Sequence, residues 1–157
     1  MIVMRARDKG AALTAYCGLY CGDCLRYASN VPDLARDLRA KLAEAKFESY
    51  AHVKSTQVRE LADYEGFLQV LDAIVKLKCS TPCRSGGDGC SVACDIKGCV
   101  QGRGLEGCWE CKELANCDKF EHFKPFHGNV PRQNATKIKE YGLDKWATHR
   151  GKFYTWL

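Results

Sequence analysis

Eleven cysteines in 157 residues, eight of them between Cys79 and Cys117, constrain this chain more than any other feature. They stand at ligand-like intervals: Cys17-x3-Cys21-x2-Cys24, Cys79-x3-Cys83, Cys90-x3-Cys94-x4-Cys99 and Cys108-x2-Cys111-x5-Cys117. Thiolates two or three residues apart can turn back onto one cation, and four of them close a tetrahedral zinc site. Disulfides are the competing use, and three observations oppose them. An odd count leaves one cysteine over, a chain of this length can bury a core without staples, and the start of the chain is a poor export signal. Arg5, Arg7 and Lys9 do precede an apolar stretch, but Tyr16 and Tyr20 stand where a processing site wants small residues. No run approaches the ~20 apolar residues of a membrane span. A cytoplasmic protein without membrane association is expected.

The formal net charge of +5 suggests nucleic-acid binding only while every thiol is counted as neutral. A zinc held by four thiolates carries roughly −2, because its ligands must lose their protons to bind. Two such sites leave about +1. The charge is also uneven. Residues 119–157 hold eight Lys or Arg against three acids, while residues 1–118 balance sixteen against sixteen. The basic end is therefore expected to pack against an anionic metal lobe, a solvated basic face being the alternative.

One domain, 1–157, is expected in four parts. The first cysteine trio occupies 17–24. A helical hairpin follows over 25–78, with Pro32 in a first turn and Leu34, Leu38 and Leu42 repeating every four residues. Its second helix has Asp63 as a cap and carries Phe67, Val70, Leu71, Ile74 and Leu77 as a stripe. Both stripes are taken as core. A hairpin also returns the chain towards its start, so that the trio can take its fourth ligand from the later cysteines.

The cysteine-rich segment 79–117 holds eight cysteines and seven glycines, and few large apolar residues beyond Val92, Ile96, Val100, Leu105, Trp109 and Leu114. So little apolar surface does not offset the entropy of ordering 39 residues, and metal–thiolate bonds are the available agent. The last part, 118–157, begins with Phe120, Phe123 and Phe126. It then predicts a helix from Pro131 to near Gly142 with Ile138 and Tyr141 on one face, and a shorter one from Leu143 carrying Trp146, Phe153 and Trp156. The apolar ending at Leu157 is either buried or the mark of a shortened chain. The fold class is mainly α: a helical hairpin, an irregular cysteine-rich metal-binding lobe and a C-terminal helical pair.

Several chemistries share these spacings. Cys17-x3-Cys21-x2-Cys24 matches the cluster motif of radical S-adenosylmethionine enzymes, but the chain has neither the length nor the repeated β-α units that they need. An iron–sulfur cluster also takes four thiolates, although the compact ferredoxin run ending in proline is absent. A thioredoxin-like use of Cys21-x2-Cys24 or Cys108-x2-Cys111 would want a βαβ setting. Four-thiolate closure leaves no open position for Lewis-acid catalysis, and no nucleophile with a base partner stands out. Exposed aromatics interleaved with a basic stripe, the mark of single-stranded nucleic-acid binding, are absent as well.

YCGLYCGDCLRY near the start, Cys94-Asp-Ile-Lys-Gly-Cys99, GCWECKELANC and NATKIKEYGLDKW together resemble a family of bacterial and archaeal cysteine-rich proteins classed as a domain of unknown function. The resemblance runs from about Tyr16 to Trp146 and implies a cytoplasmic metal-binding protein, the metal being zinc. Its matching positions are Cys17, Cys21, Cys24, Cys83, Cys94, Cys99, Cys108, Cys111 and Cys117. Cys79 departs from the expected closer pairing with Cys83, and Cys90 is additional. The expected ligands are those nine with Cys79, in two zinc sites or three, with an iron–sulfur cluster as the alternative cofactor. The roles of Cys90, His122 and His127 stay open. The expected function is a non-enzymatic structural zinc protein with a protein partner of unknown identity. A redox protein is the first alternative and a nucleic-acid-binding zinc module the second.

Overall fold

The computed structural model describes residues 10–87, 89–90 and 94–151. Over these residues the chain is mainly α, built from helices and short helical turns, with a lone antiparallel bridge between Thr14 and Tyr20 and no strand. It divides into two compact units, Leu25–Cys79, and Met1–Cys24 together with Ser80–Leu157.

The Leu25–Cys79 unit contains α1 (Leu25–Ala28), α2 (Val31–Glu44), α3 (Phe47–Lys54) and α4 (Tyr64–Lys76). Pro32 lies in the first turn of α2, where its missing N–H costs nothing. Asp63 precedes α4 as expected, although its side chain makes no capping bond. Packing of α2 against α4 forms the predicted hairpin. Arg39 Nε donates to Asp72 at 2.8 Å and Lys78 pairs with Asp33. At the open end, the Cys79 N–H donates to the Arg26 carbonyl at 2.9 Å and Arg26 Nε to the Leu77 carbonyl at 2.8 Å. The hairpin thus brings residues 26 and 79 together. A helix over 47–54 and a tight turn at Arg59–Asp63 fill the connection, which sequence periodicity does not announce.

The expected cores of α2 and α4 need correction. Leu34 and Leu38 are exposed, as are Phe67, Val70 and Leu77; of the α4 stripe only Leu71 is buried. The positions buried on these two helices are instead Pro32, Ala35, Tyr64 and Leu71. A small side chain at Ala35 lets the backbones approach, so the leucines four apart flank the contact and do not fill it.

In the other unit the chain between Leu13 and Cys21 folds back on itself. The Ala15 N–H donates to the Leu19 carbonyl at 2.8 Å and the Cys21 N–H to the Leu13 carbonyl at 2.7 Å. Gly18 sits in this turn at φ 91°, and a Cβ there would lie 2.9 Å from the Pro131 carbonyl, so both conformation and space demand glycine. Buried Asn134 donates to the Gly18 carbonyl at 2.9 Å. Beyond it come α5 (Asp95–Gly102), α6 (Lys124–His127) and α7 (Val130–Tyr141), with tight turns at Cys83–Ser85, Cys108–Glu110, Leu114–Asn116, Asp118–Phe123 and Trp146–Thr148.

Segment 79–117 is less bare than its composition suggests. Ile96, Val100 and Trp109 are all buried, Ile96 and Val100 in one core with Leu19, Phe120, Phe123 and Val130. Its few apolar residues are nearly all used because partners from the rest of the unit cover them; Val92 lies outside the described residues. The first C-terminal helix forms as predicted, over Val130–Tyr141 with Ile138 buried. The second shortens to a turn at Trp146–Thr148, and Phe153 and Trp156 lie outside the described residues.

Trp146 is fully buried with Trp109, Ala135 and Ile138, and Tyr20 meets its ring edge-on at 5.7 Å between centroids. Its indole N–H donates to Thr14 Oγ1 at 2.8 Å, and that hydroxyl donates to the Gly10 carbonyl at 2.7 Å. A Thr14→Val substitution keeps the shape and leaves a buried donor unpaired. It should cost about 1–3 kcal/mol in denaturant unfolding, whereas Trp146→Ala should cost about 3–5 kcal/mol.

Candidate metal centre

The first cysteine, Cys17, is buried in the turn over residues 13–21, and Cys108 is brought to it by main-chain pairing: the Cys108 N–H donates to the Tyr16 carbonyl at 2.8 Å. Burial pushes the Cys17 thiol well above its ordinary pKa; the Leu19 backbone N–H acts the other way, and the thiols of Cys90, Cys83 and Cys108 push it up further. Burial likewise carries Cys108 to about 12, with added contributions from Cys117, Cys111, Cys99 and Cys94. Eight of the eleven sulfurs therefore belong to one region of the Cys17-containing unit.

Within that region two groupings are distinguishable. Cys99 on α5, Cys108 and Cys111 on the turn Cys108–Glu110, and Cys117 all line a single cavity of about 490 Å³. Around Gly89 there is a second. A Cβ on Gly89 would stand 3.6 Å from the Cys83 Cβ and 4.0 Å from the Cys94 Cβ, and its φ of 80° also favours glycine. Cys83 and Cys94 pack against the core that contains Cys17. Cys90 stands exposed between them in sequence.

Among the described residues, no three Cys, His, Asp or Glu side chains converge closely enough to form a ready metal-holding group. What the fold provides is a shared cavity and shared neighbourhoods. The donor set nonetheless suits a thiophilic cation: four thiols in one cavity, drawn from two turns and a helix.

The remaining candidates do not line that cavity. Cys21 and Cys24 bracket the tight turn Cys21–Asp23, with the Cys24 N–H donating to the Cys21 carbonyl at 3.1 Å. Cys79 belongs to the Leu25–Cys79 unit. Of the trio, Cys17 has Cys83, Cys90 and Cys108 near it. His122 lies against the Phe123 ring at 4.0 Å, and burial, then His122, lowers the pKa of His127. Cys90 is the residue that motif matching set aside, although its interval Cys90-x3-Cys94 equals those at 17–21 and 79–83.

Three arginines hold the cysteine-bearing turns. Arg84 donates to the carbonyls of Thr14 and Glu106 at 2.9 and 2.7 Å and lies over the rings of Tyr16 and Trp109, at 4.8 and 5.2 Å from their centroids. Arg132 donates to the carbonyls of Leu114 and Cys117 at 3.3 and 2.9 Å. Arg103 pairs with Glu113 at 2.7 Å and reaches Cys111 Sγ at 3.7 Å. Of these three, Arg132 belongs to the C-terminal part, which meets the cysteine-bearing turns through it and through Trp146 packed with Trp109. Much of that part's charge is internally engaged: Arg150 forms a two-pronged pair with Asp23 at 2.6 Å, and Lys124 and Lys137 pair with Glu121 and Glu140.

A family model described as "Protein of unknown function (DUF3795)" matches residues 13–122. The chain belongs to that family. The DUF3795 match takes in all eleven cysteines and stops before α7, so the Asn134–Trp146 motif lies beyond it. Comparison with curated proteins and with solved structures gives no match. Among the described residues no helix is long and apolar enough to cross a membrane.

Arg84→Lys keeps the charge and loses the fork that reaches two carbonyls at once. It should cost about 1–3 kcal/mol and raise hydrogen exchange at residues 106–111, with Arg84→Met behaving alike. Unchanged exchange in that turn would show that Arg84 does not hold it.

Proposed function

We propose that this DUF3795 protein is a cytoplasmic, non-enzymatic zinc protein whose metal sites are structural and whose surface serves a protein partner. The observation that carries this reading is the single cavity lined by Cys99, Cys108, Cys111 and Cys117. These four form the first proposed site. Cys17, Cys83, Cys90 and Cys94, gathered about Gly89 and Cys17, form the second. That division uses eight cysteines and leaves Cys21, Cys24 and Cys79 outside it. It brings Cys90 in as a ligand.

Zinc supplies four bonds that tie together turns with little other reason to stay in register, and closed thiolate coordination holds the ion without exposing it. The chain's own part is to bring sulfurs together and to compensate their charge. Arg103 lies beside Cys111, and the Leu19 amide is directed at Cys17. The redox alternative has one observation in its favour: about 490 Å³ is more room than a single ion needs, and an iron–sulfur cluster would use it.

The native protein should contain about two zinc ions per chain, and cobalt exchange should give the intense visible bands of tetrahedral thiolate coordination. Cys111→Ser should lose one ion and keep the other. A colourless, metal-free protein with an intact near-ultraviolet signal would defeat the proposal, and a brown protein with iron and sulfide would turn it towards the redox reading.

The raised pKa of Cys108 sets the pH dependence. In the metal-free fold its proton is held up to about pH 12, so binding must displace it and affinity must fall as pH falls. A metal competition titration should show release of at least one proton from this thiol as the first site fills. Affinity flat between pH 8 and 6 would contradict thiolate ligation.

A further inference from the structure

Eleven large apolar side chains stand exposed among the described residues, and ten of them belong to the Leu25–Cys79 unit. That unit buries few large side chains of its own; its buried positions are Pro32, Ala35, Ala51, Tyr64 and Leu71. Fifty-five residues around so small a core are marginal unless another surface completes them.

Most of the exposed residues fall into two stripes, each with one half-buried member, Leu42 on α2 and Ile74 on α4. Val31, Leu34, Leu38 and Leu42 recur every three or four positions on α2, and Phe67, Val70, Ile74 and Leu77 do the same along α4 and its end. Each stripe lies to one side of the line of contact through Ala35 and Leu71. The Arg39–Asp72 pair lies on the other side. For two antiparallel helices, that arrangement puts both stripes on one face of the hairpin. No charged residue occupies a stripe position.

From this face we infer that the hairpin is a self-association surface, and that two copies of the chain pair through α2 and α4 about a two-fold axis into a four-helix bundle. The inference is independent of the proposed metal sites. Its occupant follows from the surface chemistry and the area. An uncharged apolar face meets its own copy without like-charge repulsion, and a closed two-fold buries it completely. Val31, Leu34, Leu38, Phe67, Val70 and Leu77 are each 42 to 57% exposed. At roughly 100 Å² still open on each, they offer about 600 Å² before any rim is counted, near the ~800 Å² that each partner gives a standard interface. A cationic peptide or a phosphate backbone would find no matching charge along the stripes, and a membrane-surface helix would want basic residues bordering its apolar face.

Sedimentation velocity and light scattering of the full metal-loaded chain, from low to several hundred micromolar, test the proposal. The native chain should run as a concentration-dependent dimer. Leu38→Glu with Val70→Glu would set like charges against each other across the two-fold and should weaken the dimer by at least about tenfold, with helical dichroism retained. Val53→Glu, on α3 and outside the face, should leave it intact. A native chain that stays monomeric at several hundred micromolar, or that gathers on anionic lipid vesicles and does not pair, would overturn the proposal whatever the variants do. So would a double variant that is folded and still fully dimeric. If the double variant loses its dichroism, Leu34→Gln alone should still weaken the dimer measurably, and failure to do so counts against it.

Discussion

A thiol can be buried as a small apolar side chain, but a buried thiolate needs positive charge close to it. The unit around Cys17 is arranged under that constraint. Cys17 and Cys108 are buried next to each other through the Tyr16 carbonyl, inside an apolar core of Ile96, Val100 and Phe120. Their environment strongly favours the neutral thiol. A cation brought into the region would reverse that preference. The core and the sulfur-rich region are therefore one construction.

The two units solve their packing in different ways. Among the described residues of the cysteine-bearing unit almost every large apolar side chain is at least partly buried, and buried polar groups such as Asn134 and Thr14 are bonded to backbone and indole. Long arginines reach carbonyls that the irregular turns would otherwise leave to solvent. The hairpin has regular helices, cross-helix ion pairs and little buried volume. Exposed pairs such as Arg39–Asp72 add modest stability at best, so its helices depend on burial that the hairpin alone does not complete.

Much of this was legible beforehand because periodicity and punctuation are local signals. Pro32 marked the start of α2, Pro131 that of α7, and the intervals between cysteines marked tight turns at 21–24 and 108–111. What failed was the inference from amphipathicity to burial. A stripe states which side of a helix is apolar; it does not state what covers it, and Ala35 is buried where Leu34 and Leu38 are not. Segment 79–117 was underestimated because its apolar residues find partners far along the chain: Ile96 and Val100 meet Leu19, Phe120 and Val130. The grouping of cysteines was illegible for the same reason. Spacing relates Cys17 to Cys21 and Cys24, and only the fold adds Cys83, Cys90 and Cys108 to its neighbours.

X-ray absorption at the metal edge of anaerobically purified native protein bears most directly on whether the sulfur-rich region is a metal centre. The account predicts zinc with a shell of four sulfurs at ~2.3 Å and few or no nitrogen or oxygen neighbours. A protein carrying no tightly bound metal, or a metal surrounded chiefly by nitrogen and oxygen at ~2.0–2.2 Å, would contradict it.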